Sequence, residues 1–314
     1  MRQTAIIVTI PGMIEEKDWQ LLSKIADIEY VEKDIVAQDE LLDLIKDKDY
    51  LMLNFDVIKK LDENFYKTIK EKNFKLKALS TDITGMDWAS PQFAKKYGIK
   101  LLYIPSYSTI SVAEFSLTSL LIHVKKLHLT FLDKKLNKKE EPRKNNVVID
   151  KTLGIVGLGE IGTRMAEISM GVGMKIVAYN RSPKNVKGVE QVSLEDLFKK
   201  SDYISIHLKN TDDTVGLINE KYLSLCKDGV IIINQASGRL IDKDVLLKFI
   251  KMGKIAGYSC SSEGIEGHPL ADEENVTAFP AQAWFTDHSL NNLKIIWIEN
   301  ILNAMQGKFE NLAY

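Results

Sequence analysis

Strands and helices alternate along this chain from one end to the other, which predicts an α/β protein built on parallel sheets. Three observations carry that prediction. Short apolar runs rich in Ile, Val and Leu recur between stretches of helical spacing, a glycine-rich turn at 157–162 joins one such run to a helix, and 314 residues exceed one ordinary domain. In chain order, residues 6–10, 50–54 and 77–80 read as strands, and 15–26, 38–47 and 63–71 read as helices. A second series opens near Lys100 with KLLYIP and runs through a long helix at about 111–129. Strands follow at 153–156, 175–179, 203–207, 230–234 and 255–258, and a last helix at 289–306 closes the chain. The run KKLNKKEEPRKNN at 134–146 is charged and carries Pro142, the composition of a solvated loop. No internal repeat is visible beyond two α/β units of different size.

The most informative stretch is TLGIVGLGEIG at 152–162, with a helical pattern from Thr163. Gly157 lets the chain turn sharply out of the strand, Gly159 leaves room for a pyrophosphate, and Gly162 lets the helix pack close to the strand. Free N–H groups and the positive end of the helix dipole, at Glu160 and Ile161, then face the phosphates. A glycine-rich βα turn without a ligand is the plain alternative, but the placement between strand and helix favours a dinucleotide. The next strand bears on which one. An NAD enzyme ordinarily carries Asp or Glu about twenty residues beyond the glycines, to hold the ribose 2′-hydroxyl. Here Asn180, Arg181 and Ser182 stand at that strand's end. A carboxylate would repel a 2′-phosphate, whereas Arg181 and Ser182 can bind one, so NADP(H) is expected over NAD(H). The competing reading has Arg181 stacked on the adenine or turned to solvent.

Composition narrows the classes. Charged residues are 27% of the chain and the formal net charge is −1, so nothing marks a nucleic-acid or membrane surface. Cys226 and Cys260 are the two cysteines. They propose no disulfide framework and no metal site, and they suit a reducing compartment. The opening MRQTAIIVTIPG has an apolar run too short for a signal peptide or a membrane span. A cytoplasmic protein acting on a small molecule is the expectation.

The chain resembles the D-isomer-specific 2-hydroxyacid dehydrogenase family over nearly its whole length. The resemblance rests on TGMDWAS at 84–90, YGIKLLYIPSYSTISVAEFSL at 97–117, the glycine motif, SIHLKNTDDTVGLIN at 205–219 and DGVIIINQASGRLID at 228–242. It implies two Rossmann-like or flavodoxin-like parallel-sheet domains around a cleft, the cofactor domain being inserted into the substrate domain. The outer domain would be 1–100 plus 289–314, and the cofactor domain 101–288 with a dimerisation arm at about 111–146. By the same resemblance, Thr109, His207, Leu208, Thr214, Gln235, Ala236 and Ser261 would join the glycine loop around the cofactor, and Thr84 and Gly85 would meet the substrate. The segment AWFT at 283–286 is similar to the A-W-Y-S of the C-terminal binding protein branch, where the Trp faces the substrate pocket. Trp284 takes that place here, with plain packing at a helix start as the alternative.

The resemblance also implies a catalytic Arg, His and Glu, and here the chain departs from the pattern. Where the family reads N-T-[AS]-R-G, this chain reads Asn234, Gln235, Ala236, Ser237 and Gly238, so Ser237 stands at the Arg position. Phe279, Pro280 and Ala281 occupy the T-P-H segment, so Ala281 stands at the His position. Glu266 matches the family's Glu, and Ser261 replaces an Asp. Losing the Arg removes a bidentate cation that would clamp a carboxylate, and a hydroxyl is no substitute. Losing the His removes a general acid of the kind that contributes about a hundred- to ten-thousandfold in rate. Displaced substitutes can be named: Arg239 for the clamp, and His268, Tyr107 or Tyr258 for the acid, each with surface or packing readings beside it. His123, His128 and His288 read as packing or solvated histidines.

Three functions follow in order. The first is an NADP(H)-dependent oxidoreductase acting on an imine, or on a C=C bond conjugated to a carbonyl, neither of which needs a His to protonate a carbonyl oxygen. The second is a catalytically inactive NADP(H)-binding sensor or interaction protein. The third is an ordinary 2-oxo acid reductase using displaced residues. A homodimer built around the arm at 111–146 is expected by resemblance and from the apolar VAEFSLTSLLIHV.

Overall fold

A computed structural model describes residues 2–139 and 141–314; Met1, and Glu140 within the charged run, lie outside the described residues. The chain divides into two compact units, Met1–Ser108 with Asp287–Tyr314, and Thr109–Thr286.

The first unit alternates β1 (Gln3–Thr9), α1 (Glu16–Ser23), β2 (Ala26–Glu32), α2 (Gln38–Ile45), β3 (Tyr50–Leu53), α3 (Glu63–Glu71), β4 (Ala78–Thr81), α4 (Pro91–Tyr97) and β5 (Lys100–Leu102). The five strands form a parallel sheet in the order β2-β1-β3-β4-β5. That is the flavodoxin-like doubly wound order. Its central strands β3 and β4 are buried on both faces, as helices on both sides of a parallel sheet require. The helix Asp287–Met305 belongs to this unit. Trp297, fully buried on it, donates its indole N–H to the Ser80 carbonyl at 3.0 Å, and the Asn300 amide donates to the Tyr103 carbonyl at 3.0 Å.

Two readings are corrected here. KLLYIP does not open the second series, because β5 pairs with β4 and completes the first sheet. The helix expected at 15–26 stops at Ser23, and β2 follows it directly. As an edge strand β2 has alternating exposure and few apolar residues, so its pattern (ADIEYVE) is faint.

The second unit contains α5 (Thr109–Val124), α6 (Leu127–Lys135), β6 (Thr152–Val156), α7 (Glu160–Gly171), β7 (Lys175–Tyr179), β8 (Val189–Gln191), α8 (Leu194–Lys200), β9 (Tyr203–Ile206), α9 (Glu220–Leu225), β10 (Val230–Asn234), α10 (Lys243–Lys251), β11 (Ile255–Ser261) and β12 (Val276–Phe279). Its seven strands are parallel in the order β12-β11-β10-β9-β6-β7-β8. Counting from β6, this is the dinucleotide-binding order 3-2-1-4-5-6 with one strand added. The strand order reverses between β6 and β9, which places the glycine loop after β6 at the switch point where such sheets bind ligands. Caps fix the helix starts: Ser193 accepts from the Asp196 N–H and Asp242 from the Val245 N–H.

The single long helix expected at 111–129 is two helices. Lys126 adopts a left-handed φ of 55° between α5 and α6, and the rings of His123 and His128 lie 4.3 Å apart across the break. No helix among the described residues is long and apolar enough to cross a membrane.

Candidate functional site

The carboxyl edge of the second sheet collects most of the residues singled out in the sequence. Gly157 has φ +100°, and a Cβ there would sit 2.7 Å from the His207 carbonyl oxygen. Gly162 is packed so tightly that a Cβ would meet the Gly157 carbonyl oxygen at 2.0 Å. Packing therefore requires both glycines. Gly159 differs from them. It caps α7 with φ −66° and ψ −168°, which any residue can adopt, and a Cβ there would touch nothing within 4 Å. The protein itself gives no reason for that glycine, whereas a phosphate approaching the backbone does. Helix α7 starts at Glu160, three residues ahead of the helical pattern in the sequence, so the N–H groups of Glu160 and Ile161 belong to its free first turn. The Thr109 hydroxyl donates to the Glu160 carboxylate at 3.4 Å.

Asn180 has a structural task at the end of β7. Its carbonyl oxygen accepts the Leu158 N–H at 3.0 Å and its amide donates to the Ser182 carbonyl at 2.7 Å, so it ties the strand end to the glycine loop. Arg181 and Ser182 are exposed beside it, and no carboxylate among the described residues pairs with the Arg181 guanidinium. His207 follows β9 within 2.8 Å of the Ser205 hydroxyl, and burial lowers its imidazole to about 4, so it is neutral. Leu208 packs beside it against Gly157. The Thr214 hydroxyl serves a tight turn, accepting the Thr211 N–H at 2.8 Å and donating to the Lys209 carbonyl at 2.7 Å.

After β10, the Asn234 side chain organises the loop. Its oxygen accepts the Ala236 N–H at 3.2 Å, and its amide donates to the Ser237 carbonyl at 2.9 Å and the Tyr258 hydroxyl at 3.2 Å. The Gln235 amide reaches the Ser259 hydroxyl at 3.3 Å. The Ser237 hydroxyl accepts the Arg239 N–H at 3.3 Å and so caps the short turn Gly238–Leu240. A Cβ on Gly238 would lie 2.5 Å from the Gly264 Cα, so the Ser237 loop runs directly against the loop that carries Glu266. Glu266 is exposed there, and the Ser261 hydroxyl at the end of β11 is buried with no hydrogen-bond partner among the described residues. His268 has both ring nitrogens engaged locally: one lies 3.2 Å from Asp244 on α10, the other accepts the Leu270 N–H at 3.1 Å. Arg239 is exposed, Tyr258 is fully buried, and Ala281 is exposed just beyond β12. Trp284 is half-buried with its ring edge-on to Phe285 at 5.2 Å. It lies in the loop ahead of the last helix, not at its start.

Thr84 and Gly85 lie in the first unit, in the loop after β4. The Thr84 hydroxyl donates to the Ile104 carbonyl at 2.7 Å, while Gly85 is exposed and has open space where a Cβ would stand. Sequence reasoning missed two residues beside them. Asn54 follows β3 and Asp82 follows β4, both buried, and the Asn54 amide donates to the Asp82 carboxyl. For Asn54, a polar residue ending a fully apolar strand was the available signal; Asp82 offered none. No group of His, Cys, Asp and Glu among the described residues can hold a metal.

A Rossmann-ordered sheet with a glycine loop at its switch point, an open Gly159 and a buried Ser261 hydroxyl with no partner among the described residues marks a dinucleotide-binding protein. Comparison with known proteins gives the family. Residues 116–283 match the model of the D-isomer specific 2-hydroxyacid dehydrogenase, NAD binding domain. The chain is 32% identical to the hydroxypyruvate reductase of Thermotoga maritima over 310 residues, covering 95% of this chain and 98% of that one. It therefore belongs to the D-isomer specific 2-hydroxyacid dehydrogenases, a family of NAD(P)-dependent oxidoreductases. Among solved structures, an acyclic imino acid reductase in complex with NADPH and D-Arg is similar with TM-score 0.87 and 27% identity, covering 99% of this chain and 100% of that one. D-2-hydroxyisocaproate dehydrogenase shares the fold, with TM-score 0.85 at 24% identity over 98% of both chains.

Proposed function

We propose that this protein is an NADP(H)-dependent reductase of carbon–nitrogen double bonds. The observation that carries this reading is the Ser237 turn. Where the family pattern has a carboxylate-clamping Arg, a hydroxyl is engaged in capping its own loop. Ala281, an exposed methyl where the pattern has a His, points the same way. Neither side chain can clamp a 2-oxo acid or protonate its carbonyl oxygen. An imine does not depend on that His, because its nitrogen is basic enough to take a proton from a weaker acid before hydride arrives. The similarity to an imino acid reductase bound to NADPH supports an imine over a conjugated C=C acceptor and NADPH over NADH.

Phosphates of the cofactor would lie over Gly159 and the first turn of α7, with Arg181 and Ser182 holding the 2′-phosphate and Ser261 offering its hydroxyl. Bound NADPH would supply the hydride. Thr84 and Gly85 are the first unit's candidates for meeting the substrate, and Trp284 is the second unit's. Cys226 and Cys260 are buried and unpaired, as suits a cytoplasmic protein.

Pyruvate mixed with excess methylamine forms an imine in solution. We expect NADPH oxidation with that mixture and negligible oxidation with pyruvate alone. NADPH should bind at least tenfold more tightly than NADH by titration calorimetry, and Arg181→Ala should remove most of the difference. Equal affinities in the wild type would refute the cofactor assignment. Tight NADPH binding without turnover of any imine would favour the sensor reading instead.

A further inference from the structure

The carboxyl edge of the first sheet holds a buried carboxyl group with no ionic partner. Asp82 is 5% exposed, immediately after β4 and two residues before Thr84. One of its oxygens accepts the Phe55 N–H at 2.8 Å and the other accepts the Asn54 amide. Asn54 is itself fixed, its side-chain oxygen accepting the Asp56 N–H at 3.1 Å and its backbone N–H donating to the Val8 carbonyl at 2.9 Å. No Lys, Arg or His among the described residues pairs with Asp82. Buried carboxylates are ordinarily paired, and one that is not favours its neutral form. Burial raises the Asp82 carboxyl to about 7, and the Asp56 carboxylate adds to the effect against the two donors. Tyr107, 9% exposed on the segment after β5, stands close enough for Asp82 to raise its phenol further, burial having already carried it toward 12. Phe55, Asp56 and Tyr107 thus bring one carboxylate, one phenol and no cation to this carboxyl group. A carboxylic acid that is neutral near pH 7 and fixed by two donors has its proton as the part it can give away.

We propose that Asp82 is the acid of the reduction, clamped by Asn54 and Phe55 beside Tyr107 at the head of the Thr84–Gly85 loop, from which it protonates the imine nitrogen of the substrate. The proposal rests on the imine reading above. The O–H bond of Asp82 breaks and an N–H bond forms, leaving a carboxylate opposite an iminium ion, and the two charges stabilise each other. The two-electron hydride then bonds to carbon, the C=N π pair withdraws to nitrogen, and the products are an amine and the oxidised cofactor. Asp82 recovers its proton from water, so imine, NADPH and one proton give amine and NADP⁺. The proton donor absent at Ala281 is in this way supplied from another strand end. Asn54 is a positioning residue.

The test is Asp82→Asn in the full-length protein, assayed with NADPH and the pyruvate–methylamine mixture. A general acid contributes about a hundred- to ten-thousandfold, and we expect a loss of kcat in that range with NADPH affinity unchanged. Wild-type kcat should fall as pH rises through about 7, whereas the residual rate of D82N should not follow that titration. Both proteins see the same imine, so its solution equilibrium cancels in the ratio. A readout independent of turnover is the infrared stretch of a protonated carboxyl, which should titrate near pH 7 in the wild type and be missing in D82N. Because it is measured on the wild type, the titration holds even if D82N folds poorly. Turnover retained in D82N, a wild-type kcat flat between about pH 6 and 8.5, or no protonated carboxyl at pH 6 would overturn the role of Asp82 alone. Absence of imine turnover by the wild type would instead overturn the reductase reading, and this role with it.

Discussion

Three glycines in one loop separate what packing demands from what a ligand demands. Gly162→Ala would drive a methyl toward the Gly157 carbonyl oxygen, and overpacking of that kind costs about 1–3 kcal/mol. Gly159→Ala meets open space at an ordinary backbone conformation, so the change in stability should be within about 0.5 kcal/mol. NADPH affinity should nevertheless drop at least tenfold. Thermal unfolding and calorimetric titration of the two variants check the contrast; unchanged affinity in G159A would sink the phosphate reading. Charge at the residue scale makes a second prediction. Burial, then the neighbouring His128, lowers His123 to about 3. The folded state therefore keeps it neutral, while an unfolded His titrates near 6.5. Its contribution to stability is whole above about pH 6.5 and is lost as pH falls toward 3. Asp82, raised to about 7, has the opposite sign: its contribution is whole below about pH 3.9 and is lost as pH rises to about 7. The two slopes oppose each other between about pH 4 and 6.5. Relative to the wild type, His123→Gln should gain stability as pH falls, and Asp82→Asn should gain it as pH rises. Urea unfolding at several pH values reads both, and parallel curves would refute the assignments.

At the scale of elements, one side chain in the turn after β7 holds the glycine loop, and we expect the same turn to read the ribose. The Asn180 oxygen accepts from Leu158 and its amide donates to Ser182. Asn180→Asp keeps the acceptor, loses the donor, and places a carboxylate where a ribose 2′-hydroxyl would be held. The variant should lose about 1 kcal/mol, the worth of one hydrogen bond, and its preference should move toward NADH by tenfold or more. An unchanged NADPH:NADH affinity ratio would mean that the strand end is not where the ribose is read. The break between α5 and α6 belongs to this scale as well. Spacing of apolar residues continues through it, and only the backbone at Lys126 and the facing rings of His123 and His128 interrupt the helix.

For the whole molecule, family membership alone suggests a 2-oxo acid substrate, and the site residues argue against it. Reduction of pyruvate, glyoxylate or hydroxypyruvate should be negligible with NADPH saturating. A carbonyl oxygen is far less basic than an imine nitrogen, so the loss of the family's Arg and His should each raise its barrier by several kcal/mol, about what such groups contribute. Ser237→Arg combined with Ala281→His should restore measurable activity, because the Gly238–Gly264 contact holds the Ser237 loop beside the Glu266 loop. Robust wild-type turnover of these acids would refute this account of the site. Assembly is the remaining prediction. Ile110, Leu127, Phe131 and Leu136 leave apolar surface exposed along α5 and α6, which a second copy would cover in a two-fold dimer. Light scattering at micromolar concentration should give twice the mass of one chain; the mass of a single chain would exclude the dimer.

Sequence by itself determined the α/β class, the buried strands and the dinucleotide loop. These depend on local rules: unbroken apolar runs for strands covered on both faces, and glycines at fixed offsets for a tight turn. The departures at Ser237 and Ala281 are readings of the same kind, taken from ungapped motifs. Tertiary structure decided the rest. Edge strand β2 has too few apolar residues to announce itself, and KLLYIP looks alike in either sheet until its pairing with β4 places it. Asn180 reads as a ligand contact in the sequence, yet its side chain ties the end of β7 to the glycine loop, and the Ser237 hydroxyl caps its own turn. Asp82 carried no motif at all. Its character comes from burial without a cation and from donors at Asn54 and Phe55, 28 and 27 positions away. No local pattern encodes that environment, because a carboxyl's proton affinity is set by what the fold packs around it.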